Sequence, residues 1–185
     1  MKMEKQCLIL GPQNCGKTLL IKRLQNLSSS SGSKDLGSRD ALPPPTQPTT
    51  GTTLLTITTT HGPVLLKEYG GKMAPLWHKA LSKASMYIYV IDASNPWELG
   101  VAIVLLMETL VHESTAEKPI LLFFNKTDII EHSTTSLEEC KSLCRVSDLA
   151  EKYKNLFSVV DGSCVTCEGM EDILRWVTEN RAKRD

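Results

Sequence analysis

The stretch Gly11-Pro12-Gln13-Asn14-Cys15-Gly16-Lys17-Thr18 reads G-x-x-x-x-G-K-[ST] and lies between the apolar run Cys7-Leu8-Ile9-Leu10 and the helix-like Leu19-Leu20-Ile21-Lys22-Arg23-Leu24. A loop that wraps a polyphosphate must turn its backbone N–H groups inward, and glycine permits what a side chain obstructs. Gly11 and Gly16 supply that freedom, with Pro12, Gln13, Asn14 and Cys15 forming the cradle between them. Lys17 is placed to reach the β- and γ-phosphates and Thr18 to give a hydroxyl to Mg²⁺. The positive end of the helix that follows faces the same anion.

A second cluster names the base. Asn125-Lys126-Thr127-Asp128 directly follows the strand-like Ile120-Leu121-Leu122-Phe123-Phe124 and matches the N-K-x-D signature of GTP-binding proteins. A carboxylate at Asp128 accepts from both N1–H and the 2-amino group of guanine, a bidentate contact that adenine lacks. Ser163-Cys164-Val165, after the last strand, falls where such proteins bring backbone N–H groups to the guanine oxygen.

These residues need a scaffold that gathers them at one edge. The chain alternates extended and helical patterns: a helix over Leu19–Leu27, a hairpin from Thr52–Thr60 and Val64–Tyr69, and a short helix over Pro75–Leu81 with proline near its start. Next come the two-face apolar strand Met86–Asp92 and a long helix from Pro96 to His112 capped by Asn95. The Ile120–Phe124 strand precedes helical stretches near Ser136–Cys144 and Asp148–Lys154, and Phe157–Val160 and a terminal helix close the chain. Alternating strands and helices predict an α/β architecture, a mainly parallel sheet covered on both faces, with the ligand at the carboxyl ends of the strands.

At 185 residues the chain suits one globular domain spanning 1–185, interrupted by a Ser/Pro-rich insert at about 28–47 that has too few apolar residues to offset its ordering entropy and is expected to be flexible. The triplet Pro43-Pro44-Pro45 is read as a stiff spacer rather than a ligand for an SH3-type domain. Lys plus Arg (21) balances Asp plus Glu (21), so no net field favours nucleic acid or an anionic membrane. No apolar run approaches the roughly 20 residues of a membrane span, and Lys2 excludes an N-myristoylation signal. A cytoplasmic, monomeric protein with reduced thiols is expected. Cys140, Cys144, Cys164 and Cys167 are set aside as a zinc site, because Cys164 falls in the guanine loop and Cys140 and Cys144 on another helix. Cys7 reads as core, and Cys15 as a reactive thiol in an electropositive loop. The histidines show no ligand spacing.

The chain as a whole resembles the Ras-like small GTPases, and within them the ADP-ribosylation-factor (Arf) and Arf-like branch. Pro48-Thr49-Thr50-Gly51-Thr52 is similar to that branch's P-T-x-G switch I, and Gly70-Gly71 followed by Pro75-Leu76-Trp77 to its G-G…P-L-W switch II. The resemblance implies a Ras-like P-loop NTPase fold with a six-stranded sheet, GTP and GDP as ligands with Mg²⁺, and effectors and regulators that engage switch regions near Thr49 and Trp77. It implies that Thr49 joins Thr18 on Mg²⁺ and that Gly71 gives its N–H to the γ-phosphate. By analogy alone it also implies membrane or ciliary traffic.

The departures from the family pattern are equally specific. Glu68 stands in place of the metal-linked Asp of D-x-G-G, and Lys72 at the catalytic position of the water-orienting Gln. Two residues are missing between Gly71 and Pro75, while Thr52 and Ala80 occupy the places of an aromatic pair that accompanies Trp77 on the effector surface. No amphipathic N-terminal anchor or prenylation box is present, so membrane contact is expected through a partner. Two readings stay open: a regulatory switch with slow hydrolysis, and a GTP-locked, hydrolysis-deficient interaction module. A P-loop kinase is disfavoured because it leaves Asn125-Lys126-Thr127-Asp128 unexplained.

Overall fold

The computed structural model describes residues 5–29, 43 and 45–183. Most of the insert expected to be flexible, including Pro44, lies outside the described residues. Strand β1 (Lys5–Leu10) runs into the phosphate loop, which feeds helix α1 (Lys17–Ser29). A hairpin of β2 (Thr52–Thr59) and β3 (Gly62–Tyr69) follows, then β4 (Met86–Asp92), β5 (Ile120–Asn125) and β6 (Phe157–Asp161). The sheet order is β2-β3-β1-β4-β5-β6, parallel except for the edge strand β2. That is the six-stranded, mainly parallel sheet the sequence predicts.

Period-two alternation of apolar residues on both faces creates two cores. Tyr87, Tyr89 and Ile91 of β4 join Leu8, Leu122 and Phe124 under α3 (Pro96–Leu110), α4 (Leu137–Leu143) and α5 (Val146–Tyr153). Met86, Ile88 and Val90 face the other way, against Leu20 and Leu24 of α1 and Ile173 and Val177 of α6 (Met170–Ala182). Cys140 and Cys144 lie in the first core and Cys164 and Cys167 against the second, so the sheet separates the two pairs. Asn95 caps α3 by accepting from the Trp97 N–H at 3.2 Å, and the buried Tyr89 hydroxyl donates to the Ala102 carbonyl at 2.7 Å, tying that helix to the sheet.

The segment after β3 corrects one expectation. Instead of a helix over Pro75–Leu81, Gly71–Leu76 forms a 3₁₀ segment with Pro75 inside it, and only His78–Leu81 makes a turn of α-helix, α2. Proline has no N–H for an i→i−4 bond and crowds the preceding turn, which favours the tighter, short-lived 3₁₀ path. Among the described residues no helix is long and apolar enough to cross a membrane.

Candidate nucleotide and metal site

The phosphate loop sits at the carboxyl end of β1, where parallel strands point toward a ligand crevice. Lys17, only 5% exposed, donates from Nζ to the Gly11 carbonyl at 3.0 Å and to the Pro12 carbonyl. The loop therefore curls around its own ammonium group. Gln13 and Asn14 are exposed at its tip, and Asn14 holds φ +61°, a left-handed geometry that Asn tolerates better than most residues. Thr46–Thr49 with Glu68, Gly70 and Gly71 line the other side of a cleft of about 180 Å³ over Gly16, Lys17 and Thr18. Lys22 donates to the Pro45 carbonyl at 2.5 Å, which holds the start of that covering segment against α1.

Three oxygens from distant parts of the chain converge in the cleft. Thr18 Oγ1 donates to Glu68 Oε1 at 2.7 Å, Thr49 Oγ1 donates to the same oxygen at 3.1 Å, and the two hydroxyls are 3.0 Å apart. Glu68 is 1% exposed, and its Oε2 is buried with no hydrogen-bond partner. Burying a carboxylate with one oxygen unpaired is costly unless a cation shares the site. Two hydroxyls and a carboxylate are hard oxygen donors of the kind Mg²⁺ takes, so the residues present fit that ion. Among the described residues no cluster of three His, Cys, Asp or Glu offers a competing metal site.

Gly71 explains how the second switch segment approaches so closely. A Cβ there would stand 2.3 Å from the Gln13 nitrogen, so any side chain would push the segment off the phosphate loop. The preceding Gly70 N–H donates to the Gly51 carbonyl at 3.0 Å, which joins the two switch segments directly. Lys72, next in line, is exposed and does not line the cleft.

At the other end of the crevice, Asn125 is 2% exposed and bridges two loops. Its Nδ2 donates to the Cys15 carbonyl at 2.8 Å, and its Oδ1 accepts from the Cys164 N–H at 3.0 Å. Gly16 is required here too, because a Cβ would fall 2.1 Å from Asn125 Nδ2. Lys126 adopts a left-handed conformation and pairs with Asp92 at 2.6 Å, a contact the motif does not announce, although Asp92 ends β4 and Lys126 directly follows the neighbouring parallel strand β5. Asp128 is exposed, on the 3₁₀ turn Thr127–His132. Ser163 is fully buried and its Oγ accepts from the Val165 and Thr166 N–H groups at 3.0 and 3.3 Å. The Cys164 and Val165 N–H groups, which the sequence directs at guanine, are thus engaged within the protein.

Two expectations change. Cys15 is 1% exposed, and burial pushes its thiol pKa up despite the opposing field of Lys17, whose Nζ lies 3.6 Å from Sγ; the group is a packed core thiol, not a reactive one. Trp77 is 3% exposed and meets Tyr89 edge-on at 6.3 Å between ring centroids, so its indole lies in the first core instead of on an effector surface. Ala80 is buried beside it, while Thr52 remains exposed.

A phosphate loop at the first strand, an Asn-Lys-x-Asp turn at the fifth and two glycine-tethered segments over the cleft define a small GTPase. The chain matches the ADP-ribosylation factor family over residues 1–181 and belongs to it. It is 37% identical over 179 residues to human ADP-ribosylation factor-like protein 16, across 97% of this chain and 87% of that protein. With ADP-ribosylation factor-like protein 3 of Caenorhabditis elegans it shares 26% over 181 residues, across 96% of this chain and 88% of that protein. The solved structure of the small GTPase Arl6 (BBS3) from Trypanosoma brucei, with the bound nucleotide analogue GppNp, superimposes with a TM-score of 0.78 at 19% identity, covering 99% of this chain and all of that one. The fold is therefore that of the Ras-like P-loop GTPases.

Proposed function

We propose that this chain is a guanine-nucleotide-dependent regulatory switch that holds GTP or GDP with Mg²⁺ and engages protein effectors in its GTP state. The observation that carries the reading is the meeting of Thr18, Thr49 and Glu68, because it joins the phosphate loop to both segments that would sense the terminal phosphate. Thr18 and Thr49 would hold Mg²⁺, which would neutralise phosphate charge when bound. Lys17 is positioned to turn its ammonium group from the Gly11 and Pro12 carbonyls to phosphate oxygens, exchanging neutral acceptors for charged ones. The Gly71 backbone lies against Pro12 and Gln13 of the phosphate loop, from where its N–H would serve the terminal phosphate. Asp128 reads guanine, and Asn125, with Ser163 and Cys164, keeps the base loop in register with the phosphate loop.

Hydrolysis is expected to be slow. A protonated lysine at position 72 cannot accept a hydrogen bond from the attacking water, and its side chain is exposed outside the cleft. The same observation supports the second reading, a module that retains GTP and does not cycle. Denaturing the purified protein and identifying the released nucleotide by chromatography tests both. Mostly GDP supports a cycling switch, mostly GTP supports the locked module, and ATP or ADP would sink both.

A further inference from the structure

We infer that Glu68 is a direct ligand of the divalent cation, so that this chain holds the metal with three protein oxygens, Thr18 Oγ1, Thr49 Oγ1 and one carboxylate oxygen of Glu68. The inference deepens the nucleotide-switch reading and rests on it. Its first support is the triangle itself. Octahedral Mg²⁺ with ligands at about 2.0–2.1 Å places neighbouring ligand oxygens about 2.9 Å apart. The three oxygens stand 2.7, 3.0 and 3.1 Å from one another, hydrogen-bond distances that also match one face of such an octahedron, so a cation can be held there with little movement of the side chains.

The second support is independent of that spacing. Glu68 Oε2 is buried and without a partner, and among the described residues no cation pairs with the carboxylate. Lys17, the nearby ammonium group on the loop, spends its hydrogen bonds on the Gly11 and Pro12 carbonyls. A negative charge at 1% exposure, pressed against two hydroxyls, is a site made for a small hard cation. The side chain's length matters as well. Position 68 lies on β3, in parallel register with Ile9 of β1, so the backbone cannot slide toward the hydroxyls. An aspartate there would hold its carboxylate a methylene farther back and leave room for a water between itself and the metal. The glutamate closes that space.

Such a site replaces one exchangeable water of the metal by a charged oxygen from the second switch segment. It fastens that segment to the metal, and through Gly70 to Gly51 of the first. The cation should bind more tightly than in a Glu68→Asp variant, and β3 should stay ordered when only two phosphates are present.

The test uses the full chain loaded with Mn²⁺ and GDP. Binding of a fluorescent GDP analogue first reads the underlying nucleotide assignment: no binding overturns that assignment and this inference with it. When GDP binds, line broadening of the Mn²⁺ spectrum in ¹⁷O-water counts exchangeable waters, and the parent is expected to carry one fewer than Glu68→Asp. In the parent labelled with ¹³C-carboxyl glutamate, a carbon coupling of an inner-sphere carboxylate is expected, a readout that needs no variant to fold. Glu68→Gln should weaken Mn²⁺ binding by about tenfold or more. Equal water counts, or no carbon coupling in the labelled parent, would overturn direct ligation while leaving the nucleotide assignment intact.

Discussion

The two ends of the crevice are built on opposite principles. At the phosphate end, the groups that would touch ligand are already bonded within the protein: buried Lys17 to the loop carbonyls, and half-buried Thr18 and Thr49 to buried Glu68. At the base end the work is divided between two residues of one tetrapeptide. Asn125 is buried and committed to protein contacts, whereas Asp128 is exposed and free to read a ligand. The difference teaches that substitutions at the phosphate end should alter affinity and switch geometry together. At the base end stability and specificity should separate by residue.

The largest effect is expected from Lys17→Ala, which removes a buried cation from the site of a polyanion. Loss of one partner of a buried charge pair costs roughly 2–5 kcal/mol, so affinity for GTP and GDP should fall by about thirtyfold to a few thousandfold while circular dichroism stays near native. Unchanged nucleotide retention in equilibrium binding would defeat the phosphate-loop assignment and the comparison with it.

Asn125→Ala should act on the protein before it acts on the ligand. It leaves the Cys15 carbonyl and the Cys164 N–H unpaired in a buried position, and each orphaned group costs about 1–3 kcal/mol. Urea denaturation should register a loss of about 2–6 kcal/mol in total. A stability equal to the parent's would show that the bridge is dispensable, and the division of labour at the base end would fail.

Asp128→Asn sharpens the same contrast from the other side. The exposed side chain makes stability changes beyond about 0.5 kcal/mol unexpected. Competition between GTP and XTP should shift toward XTP by about tenfold or more, since the amide offers a donor where the carboxylate had an acceptor and xanthine carries a 2-oxo group. An unaltered preference would remove Asp128 from the base site.

What the sequence made legible follows the same line. Motifs whose spacing encodes backbone geometry were readable: the phosphate loop after β1, the Asn-Lys-x-Asp turn at the end of β5, and Asn95 ahead of α3. The strand Met86–Asp92 was readable because its apolar residues face two covered sides, leaving no amphipathic ambiguity. The segment after Gly71 was not. Pro75-Leu76-Trp77 looks like the start of a helix, and only packing against Tyr89 shows that Trp77 turns inward. Cys15 misled for a related reason: its sequence neighbours are polar and Lys17 is two residues away, yet the loop folds its sulfur beneath itself, 3.1 Å from the Pro12 carbonyl. The Lys126–Asp92 pair could not be seen before the strands were placed side by side, whereas the family resemblance already grouped Thr18, Thr49 and Glu68 at the metal and left only their direct hydrogen bonds to be found.

The smallest effect is expected at Lys72, and it tests where the phosphate end stops. In phosphoryl transfer to water, an amide side chain orients the nucleophile and an arginine commonly completes charge stabilisation in the transition state. Lys72 provides neither. A cation near the terminal phosphate would favour the bound ground state as much as the transition state, so it need not raise the rate. Its exposure places it beyond the cleft that Gly70 and Gly71 still line. Intrinsic hydrolysis should therefore run at or below the ~10⁻⁴ s⁻¹ scale of unassisted enzymes of this type. Lys72→Gln should raise it only about threefold, or about 0.6 kcal/mol of barrier, because the 3₁₀ segment that begins at Gly71 would still point the new amide outward. Single-turnover hydrolysis of preloaded GTP compares the two. A parent rate far above that scale would show that another residue positions the water. A rise of a hundredfold on restoring Gln would show that the segment swings inward when nucleotide binds, and that Lys72 belongs to the phosphate end after all.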